Sequence, residues 1–318
     1  MKKYVILFCI AFPLITLGQA NKLIRKGLKS TDPNEQVQIF TEAIALEPKN
    51  LDAYFYRGLA KHDLGDFNGA IMDYTKVIFY EPGADVYFNR GNSKYSLMDY
   101  SGAKEDFGNA LKLAPNFIEA RYSLAVTKND LEDYKGAIAD LDVPNVYKSP
   151  AILLQLARAY TGLEDYKQAI QNYNAAVLLN PDTYTFYARG VFYMDVNYFK
   201  NANSDFNASI ILNKDNVSAY FFRGISSYFL GEFEKALADF YVSIRFDATD
   251  FDAIIGLALS HYKLNDLPNA KLNFDKAKSI LMGQDMSQKD NLELFKNTYW
   301  YQKQYYAFKE GYNQLSKL

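Results

Sequence analysis

The sequence is poor in the side chains on which catalysis and metal binding most often depend. Its 318 residues include one cysteine, two histidines and one tryptophan. The histidines, His62 and His261, lie about 200 residues apart, which disfavours a shared catalytic or metal site. The sequence also lacks a glycine-rich phosphate-binding loop. We therefore expect no enzyme activity, no bound cofactor and no metal site.

Neither sign of charge is in excess. Lysine and arginine together number 35 and aspartate and glutamate 37, so the formal net charge is −2. Proteins that bind nucleic acid usually carry a basic patch facing the phosphates, and this composition gives no indication of one. Hydrophobic residues make up 49% of the chain, which is ordinary for a folded protein. Aromatic residues need an explanation, because 27 tyrosines and 23 phenylalanines accompany the single tryptophan.

The N-terminal apolar run is too short to cross a membrane, which takes about 20 residues. This run, residues 4–17, follows two lysines, ends in small residues and contains Cys9. The pattern is typical of a secretory signal peptide. We expect residues 1–18 to be removed before Gln19, or alternatively after Ala20, which leaves no thiol in the mature chain. The product would be periplasmic, envelope-associated or secreted. A buried N-terminal helix is the competing interpretation.

An alanine recurs in phase along the chain, at spacings of 32 to 34 residues. These residues are Ala70, Ala103, Ala137, Ala169, Ala202, Ala236 and Ala270. Twelve residues before them stand the small residues Gly58, Gly91, Ala125, Ala157, Gly190, Gly224 and Ala258. Four residues after them stand the bulky residues Tyr74, Phe107, Leu141, Tyr173, Phe206, Phe240 and Phe274. Small facing residues let two helix axes approach closely, so each unit is predicted to be a pair of antiparallel helices.

This pattern resembles the tetratricopeptide repeat, in length and in its order of aromatic, Leu-Gly, Tyr, Ala, Phe, Ala and Pro. The resemblance implies an all-α fold, an α-α superhelix of about seven full repeats after a partial N-terminal one. The solenoid is predicted to span 19–286, with units at 19–50, 51–83, 84–117, 118–149, 150–182, 183–216, 217–250 and 251–284. Positions within a repeat are counted below from the first residue of its unit.

Residues 287–318 are predicted to form a C-terminal capping helix that covers the last repeat. Its apolar stripe consists of Leu294, Tyr301, Tyr305, Phe308, Tyr312 and Leu315. Tyr299, Trp300 and Tyr306 fall off this stripe, which predicts that they are exposed. A structural cap is the plain interpretation, and a second contact surface is the alternative.

Arginine precedes the small residue at position 8 in four repeats, and each of these repeats has aspartate sixteen residues later. The pairs are Arg57 and Asp73, Arg90 and Asp106, Arg189 and Asp205, and Arg223 and Asp239. We predict a contact between arginine and aspartate, either within a repeat or between neighbouring repeats. A partly buried pair of this kind fixes register more than it adds stability. An anion site is the functional alternative.

The repeat at 118–149 is irregular, because Pro144 falls where its second helix should continue. We expect this helix to stop near Asp142, about one turn early. A local change of curvature, or a hinge between Pro144 and Pro150, is a hypothesis that follows from it.

The resemblance implies that ligands lie against the first helix of each repeat, at positions 2, 5, 9, 12 and 13. The residues carried over by phase are Phe55, Leu59, His62, Phe88, Asn92, Tyr95, Tyr122, Val126, Leu154, Arg158, Tyr187, Val191, Phe221, Ile225, Tyr228, Ile255, Leu259 and Tyr262. Position 5 is aromatic in five of the seven full repeats. Exposed contiguous rings usually mark an interaction site. The alternative is that winding of the superhelix covers these rings.

These features favour a non-catalytic scaffold of the cell envelope that binds a protein or peptide partner in an aromatic groove. The paired lysines and asparagines with which the best-known groove of this family holds a C-terminal carboxylate are missing. An extended, apolar and aromatic segment fits better. A glycan-binding component is the alternative, since aromatic rings also stack on sugars. A self-assembling solenoid comes third, and an enzyme last.

Overall fold

The computed structural model describes residues 18–143, 147–284 and 291–318, and within them the chain is helical with no strand. Helix α1 covers residues 18–27. The helices that follow are α2 (Pro33–Leu46), α3 (Leu51–Asp63), α4 (Phe67–Tyr80), α5 (Ala84–Ser96), α6 (Tyr100–Leu113), α7 (Ile118–Asp130), α8 (Tyr134–Leu141), α9 (Pro150–Gly162), α10 (Tyr166–Leu179), α11 (Thr183–Asp195), α12 (Phe199–Leu212), α13 (Val217–Phe229), α14 (Phe233–Phe246), α15 (Phe251–Lys263), α16 (Leu267–Gln284), α17 (Tyr299–Lys303) and α18 (Tyr305–Leu315). The predicted signal peptide lies outside the described residues, apart from Gly18.

Helix α3 packs on α4, α5 on α6, α7 on α8, α11 on α12, α13 on α14 and α15 on α16, and within each unit these pairs pack on one another. The first helices of the pairs begin at residues 51, 84, 118, 150, 183, 217 and 251, where the sequence units begin. The predicted all-α repeat fold is therefore confirmed. Each of the seven turns that join the two helices of a pair places one residue in the left-handed region of backbone conformation. Only two of these seven residues, Gly65 and Gly231, are glycine, which adopts this conformation most readily. An aspartate such as Asp99 often follows and caps the second helix, accepting from the N–H of Gly102 at 2.9 Å.

The small residue at position 8 lies against the ring at position 24. A Cβ atom on Gly91 would lie 2.7 Å from the Phe107 ring, and one on Gly190 would lie 2.7 Å from Phe206. The in-phase alanines, such as Ala103, are fully buried beside these rings. The close approach predicted from the repeated small residues is therefore present, and the rings fill the space between the two helices.

The predicted contact between arginine and aspartate is confirmed in all four repeats. Arg90 donates from Nε and Nη2 to the two carboxylate oxygens of Asp106, at 2.8 and 2.7 Å. Its Nη1 donates to Thr75 on the second helix of the preceding repeat, at 3.0 Å. Each arginine therefore links the two helices of its own repeat and also binds the second helix of the preceding repeat. The corresponding trios are Arg57, Asp73 and Thr41; Arg189, Asp205 and Asn174; and Arg223, Asp239 and Asn207.

Helix α8 ends at Leu141 after 8 residues, whereas α6 and α10 have 14. The prediction that this helix stops early, near Asp142, is confirmed. The chain divides into two compact units close to this point. Unit 1 comprises the residues up to Lys148 together with Arg158–Asp165, and unit 2 comprises Ser149–Ala157 and Tyr166–Leu318. Pro144 lies outside the described residues, so the hinge stays a prediction.

The C-terminal segment is broken into a 3-10 turn, Leu292–Phe295, followed by α17 and α18, where one helix was predicted. Thr298 caps α17, and the helix ends at Lys303, because the backbone of Gln304 departs from helical geometry. The expected exposure of Trp300 is wrong, since this side chain is fully buried, and Tyr299 is half-buried. The breaks turn Tyr299 and Trp300 toward the repeats, whereas a single continuous helix would place them off its apolar face. Tyr306 is exposed as predicted, at 87%.

Candidate functional site

The first helices of successive repeats contact one another and line one face of each unit. The inner face of unit 1 is formed by α3, α5 and α7, and the inner face of unit 2 by α11, α13 and α15. These are the faces on which the sequence placed the partner-binding residues. Within these faces, the Arg–Asp contacts described above hold α3 and α5 in unit 1 and α11 and α13 in unit 2 to the second helices of their repeats.

Aromatic rings at position 5 form the centre of the inner face of unit 1. Phe55 packs 6.0 Å from the buried ring of Tyr74, and Phe88 packs 5.8 Å from Phe107 and 4.9 Å from Phe117. The predicted residues of this face are half-buried, namely Phe55, Leu59, His62, Phe88, Asn92, Tyr95, Tyr122 and Val126. Neighbouring repeats therefore cover part of each ring and leave part accessible. The rings are neither fully exposed nor fully covered by winding of the superhelix, the two alternatives that the sequence left open.

Polar groups frame these rings. Tyr95 donates its hydroxyl hydrogen to Asp130 at 2.6 Å, and Arg158 contacts the same carboxylate at 2.8 Å. Burial, reinforced by the hydrogen bond to Asp130, raises the pKa of Tyr95 above its ordinary value. The Arg158 side chain is 48% exposed. His62 shares a hydrogen bond of 2.9 Å between its Nδ1 and the hydroxyl of Ser93, which gives it a packing role.

The rim of this face carries acids that sequence reasoning missed. Position 2 holds Asp52 in α3, Asp85 in α5 and Glu119 in α7, and all three side chains are exposed. Position 13 holds Asp63, which is exposed, and the half-buried Asp130. The recurrence of an acid at position 2 in four of the seven full repeats was visible in the sequence. It escaped notice because an acid in the first turn also complements the helix dipole.

The inner face of unit 2 is filled by the C-terminal segment, which corrects part of the predicted groove. Ile225 and Ile255 are fully buried, Tyr228 is 8% exposed, and Leu259, which Gly311 of α18 abuts, is 1% exposed. These residues are core and do not form a free surface. The prediction assumed that the cap covers only the end of the last repeat. Of the other predicted residues here, Leu154 is buried, and Tyr187, Val191, Phe221 and Tyr262 are half-buried.

Two pockets lie in unit 2. One, of about 280 Å³, lies between Tyr228, Leu259 and Gly311, beside the C-terminal segment. The other, of about 410 Å³, is lined by Tyr166, Lys167, Ile170, Phe192, Tyr193, Val196, Tyr198 and Asn201. Tyr198 stands at a helix N-cap where the neighbouring repeats have acidic residues, and it makes no side-chain cap bond.

The second histidine lies on α15 between two polar side chains. His261 is 6% exposed; its Nε2 lies 3.0 Å from the Tyr241 hydroxyl and its Nδ1 3.0 Å from Asp266. Neither pocket above includes these side chains. Across the described residues, no three His, Cys, Asp or Glu side chains are grouped as metal ligands would be. Nor does any helix in that part of the chain have the length and apolar character to span a membrane.

Comparison with known proteins gives the following similarities. Two family models, both described as tetratricopeptide repeat, match residues 84–117 and 150–183. No curated protein matches by sequence. A tetratricopeptide repeat protein from Parabacteroides merdae ATCC 43184 superposes with a TM-score of 0.61 at 20% identity, covering 74% of this chain and 94% of that one.

A second solved structure is the APC/C hetero-tetramer Cut9-Hcn1, with a TM-score of 0.58 and 16% identity. The match covers 89% of this chain and 55% of that one, so this chain spans about half the length of that relative. At these identities the similarity concerns the fold alone. Both similarities agree with the stacked helix pairs described above.

Proposed function

The chain is a tetratricopeptide-repeat protein, and from that premise we propose that it binds a segment of a partner protein on the inner face of unit 1. Repeats of this family generally act as protein-interaction scaffolds. The observation that carries the proposal lies in unit 2, where the same face holds a protein segment. Tyr299 packs 5.8 Å from Phe221, and Phe221 occupies the position of Phe55 and Phe88 in unit 1.

A protein segment suits this face better than a glycan. Sugar-binding sites combine rings with clustered free polar groups, whereas here His62 bonds to Ser93, and Tyr95 and Arg158 both contact Asp130. Half-buried rings that neighbouring repeats hold in place are preorganised anchors, and such anchors supply most of the binding energy of protein interfaces. A glycan that competes for the same face would be the alternative outcome of the test below.

We propose a scaffold role without catalysis. The chain from Asp266 through His261 to Tyr241 is the one array of titratable groups described above that resembles catalytic machinery. Tyr241 is 44% exposed on a second helix, away from the two pockets described above, so neither of them would enclose a substrate at this side chain. Asp266 also caps α16, accepting from the backbone N–H of Asn269 at 3.4 Å and from its side-chain amide at 2.7 Å. A structural role accounts for these contacts.

The same proposal places the protein in the cell envelope. It rests on the pattern of residues 1–18, with its two lysines and its apolar run. The N-terminus of the protein isolated from the envelope fraction decides this point by mass spectrometry. We expect the first residue to be Gln19. An intact N-terminal segment on cytoplasmic protein would contradict export.

Crosslinking from a defined position tests the binding face. A photoreactive amino acid replaces Asn92 in the inner face, and in a matched variant it replaces Glu105, which is exposed on the second helix of the same repeat. We expect position 92, and not position 105, to crosslink to a protein in intact cells. Crosslinks of equal yield and identity from both positions, or capture of polysaccharide instead of protein at position 92, would overturn the proposal.

A further inference from the structure

The C-terminal segment shows how this kind of face recognises a helix. The backbone N–H of Tyr299, at the start of α17, donates to Asp252 Oδ1 at 2.9 Å. The indole N–H of Trp300 donates to the backbone carbonyl of Asp252, also at 2.9 Å. Asp252 is position 2 of its repeat. An acid at this position therefore accepts from the first backbone N–H of the docked helix.

Rings at positions 5 and 12 hold the aromatic residues of the docked helix. Tyr299 packs edge-on against Phe221 at position 5, with ring planes at 83°. Trp300 packs edge-on against Tyr228 at position 12, with centroids 5.7 Å apart. Aromatic pairs in this geometry add stability beyond the area that they bury. The full burial of Trp300 makes it the central anchor of the segment.

An acid at position 13 pairs with a basic residue of the docked helix. Lys303, at the end of α17, lies 3.7 Å from Asp195 at position 13 of α11. Burial raises the pKa of Asp195, while Lys303 lowers it, so the ammonium group favours the charged carboxylate. The inner face of unit 2 thus binds a helix through an acid at position 2, aromatic rings at positions 5 and 12, and a second acid at position 13.

The inner face of unit 1 repeats this set across its three repeats, with one aromatic ring at position 12, that of Tyr95. Position 2 is acidic in Asp52, Asp85 and Glu119, position 5 is aromatic in Phe55, Phe88 and Tyr122, and position 13 is acidic in Asp63 and Asp130. From this correspondence, and resting on the function proposed above, we propose that unit 1 binds an amphipathic α-helix with aromatic residues in its first turn and a lysine or arginine one turn later.

A helix is favoured over the extended segment that the sequence analysis anticipated. The first helices use their backbone groups internally, so the face has no strand edge that could pair with an extended chain. An extended partner would have to satisfy its backbone groups on few side chains, whereas a helix satisfies its own. Charge agrees with this choice, because the acids of the rim attract the N-terminus of a helix and a basic side chain.

A synthetic peptide of residues 298–318, labelled at its C-terminus, is the probe, and the full mature chain is its receptor. Fluorescence anisotropy measures binding to the wild type, to D85K/E119K and to E42K/E105K. The last variant changes the net charge equally but at exposed acids of second helices. We expect binding to the wild type and to E42K/E105K, and a loss of at least about 10-fold in affinity for D85K/E119K.

Two altered peptides test helicity and charge. Gln302 is exposed on α17, and Gln302→Pro removes its backbone donor to Thr298 and breaks the helix, whereas Gln302→Ala preserves it. Lys303→Glu reverses the basic group. We expect Gln302→Ala to bind as the parent peptide does, and Gln302→Pro and Lys303→Glu to bind at least about 10-fold more weakly.

The outcomes separate this inference from the proposed function. Equal binding of Gln302→Pro and Gln302→Ala would overturn the helical partner and leave a protein-binding face. No binding, or binding that D85K/E119K does not weaken, would overturn the correspondence between the two inner faces. Crosslinking from position 92 decides the proposed function independently of either result.

Discussion

At the scale of single residues, the arginine of position 7 is the most informative. Each arginine reaches an aspartate of its own repeat and a polar side chain of the preceding one, so one side chain sets two packing distances. The aspartates are almost fully buried, with side chains 0 to 7% exposed. A carboxylate in such a place destabilises the fold unless it keeps its partners.

The repeats differ in how many cations each aspartate keeps. Asp106 also contacts Lys94, at 2.8 Å, whereas Asp239 has Ser227 at the position of that lysine. We expect Arg223→Leu to lower the free energy of unfolding by about 3–5 kcal/mol, because it strands a buried charge. Arg90→Leu should cost clearly less, since Lys94 still neutralises Asp106. Urea unfolding monitored by circular dichroism compares the two variants.

The chain offers its own control for this comparison. Repeats that have leucine in place of the arginine at position 7 include two with asparagine in place of the aspartate, namely Leu156 with Asn172 and Leu257 with Asn273. Asn273 donates its side-chain amide to the carbonyl of Asn269, so it needs no cation. The double variant R223L/D239N should therefore recover at least half of the lost stability. An equal loss in R223L and R90L, or no recovery in the double variant, would contradict this account.

At the scale of elements, the sequence predicts the helices well and the C-terminal segment poorly, for physical reasons. Within the repeats, the small residues at positions 8 and 20 and the bulky residue at position 24 recur seven times, so each signal is averaged over many copies. The segment after α16 occurs once, and its course depends on contacts with helices up to about 100 residues away, such as that between Lys303 and Asp195. A stripe drawn on one ideal helix could not reveal the breaks at Thr298 and Gln304.

The residues of the binding face also divide into those that the sequence predicts and those that it does not. The position-5 rings of unit 1 could be predicted, because a ligand-facing position recurs with the repeat. The full burial of Ile225 and Ile255 could not, since their sequence context matches that of the accessible repeats. The acids at position 2 could be found by aligning the repeats, but only the bond from Tyr299 to Asp252 shows what such an acid can hold.

The C-terminal segment should make stability depend on pH through Asp252. Burial raises the pKa of this carboxyl to about 7, from an ordinary value near 4. The folded protein therefore binds the proton more tightly than the unfolded chain, and the free energy of unfolding should rise as pH falls from 8 to 5. Asp252→Asn keeps an oxygen for the N–H of Tyr299 but cannot ionise. At pH 8 it should be more stable than the wild type by roughly 1–3 kcal/mol.

Denaturant unfolding of both proteins at several pH values measures this difference. The advantage of Asp252→Asn should shrink toward pH 5, because the wild-type carboxyl is protonated there. Glu234→Gln, at an exposed acid in the first turn of α14, should show no such trend and serves as the control. A difference between Asp252→Asn and the wild type that stays constant from pH 5 to pH 8 would show that Asp252 does not titrate in this range.

At the scale of the whole molecule, the chain carries two inner faces of one design. The face of unit 2 is buried under the chain's own C-terminus, and that of unit 1 presents half-buried rings within an acidic rim. The last repeat of a solenoid needs a cover, because each repeat buries its apolar surface only against its neighbours. Here the cover extends from the end of the array to α11, where Lys303 meets Asp195.

Removal of the C-terminal segment should therefore expose the inner face of unit 2 and cause the protein to self-associate. A chain ending at residue 290 would expose Ile225, Ile255 and Leu259, which are at most 1% exposed in the complete protein. Exposed apolar patches of this kind cause self-association, so we expect light scattering to report a mass that rises with protein concentration. Added peptide 298–318 should restore the monomeric mass, and its Trp300→Ala form should not. If the shortened chain keeps a monomeric mass at every concentration, the segment does not protect this face.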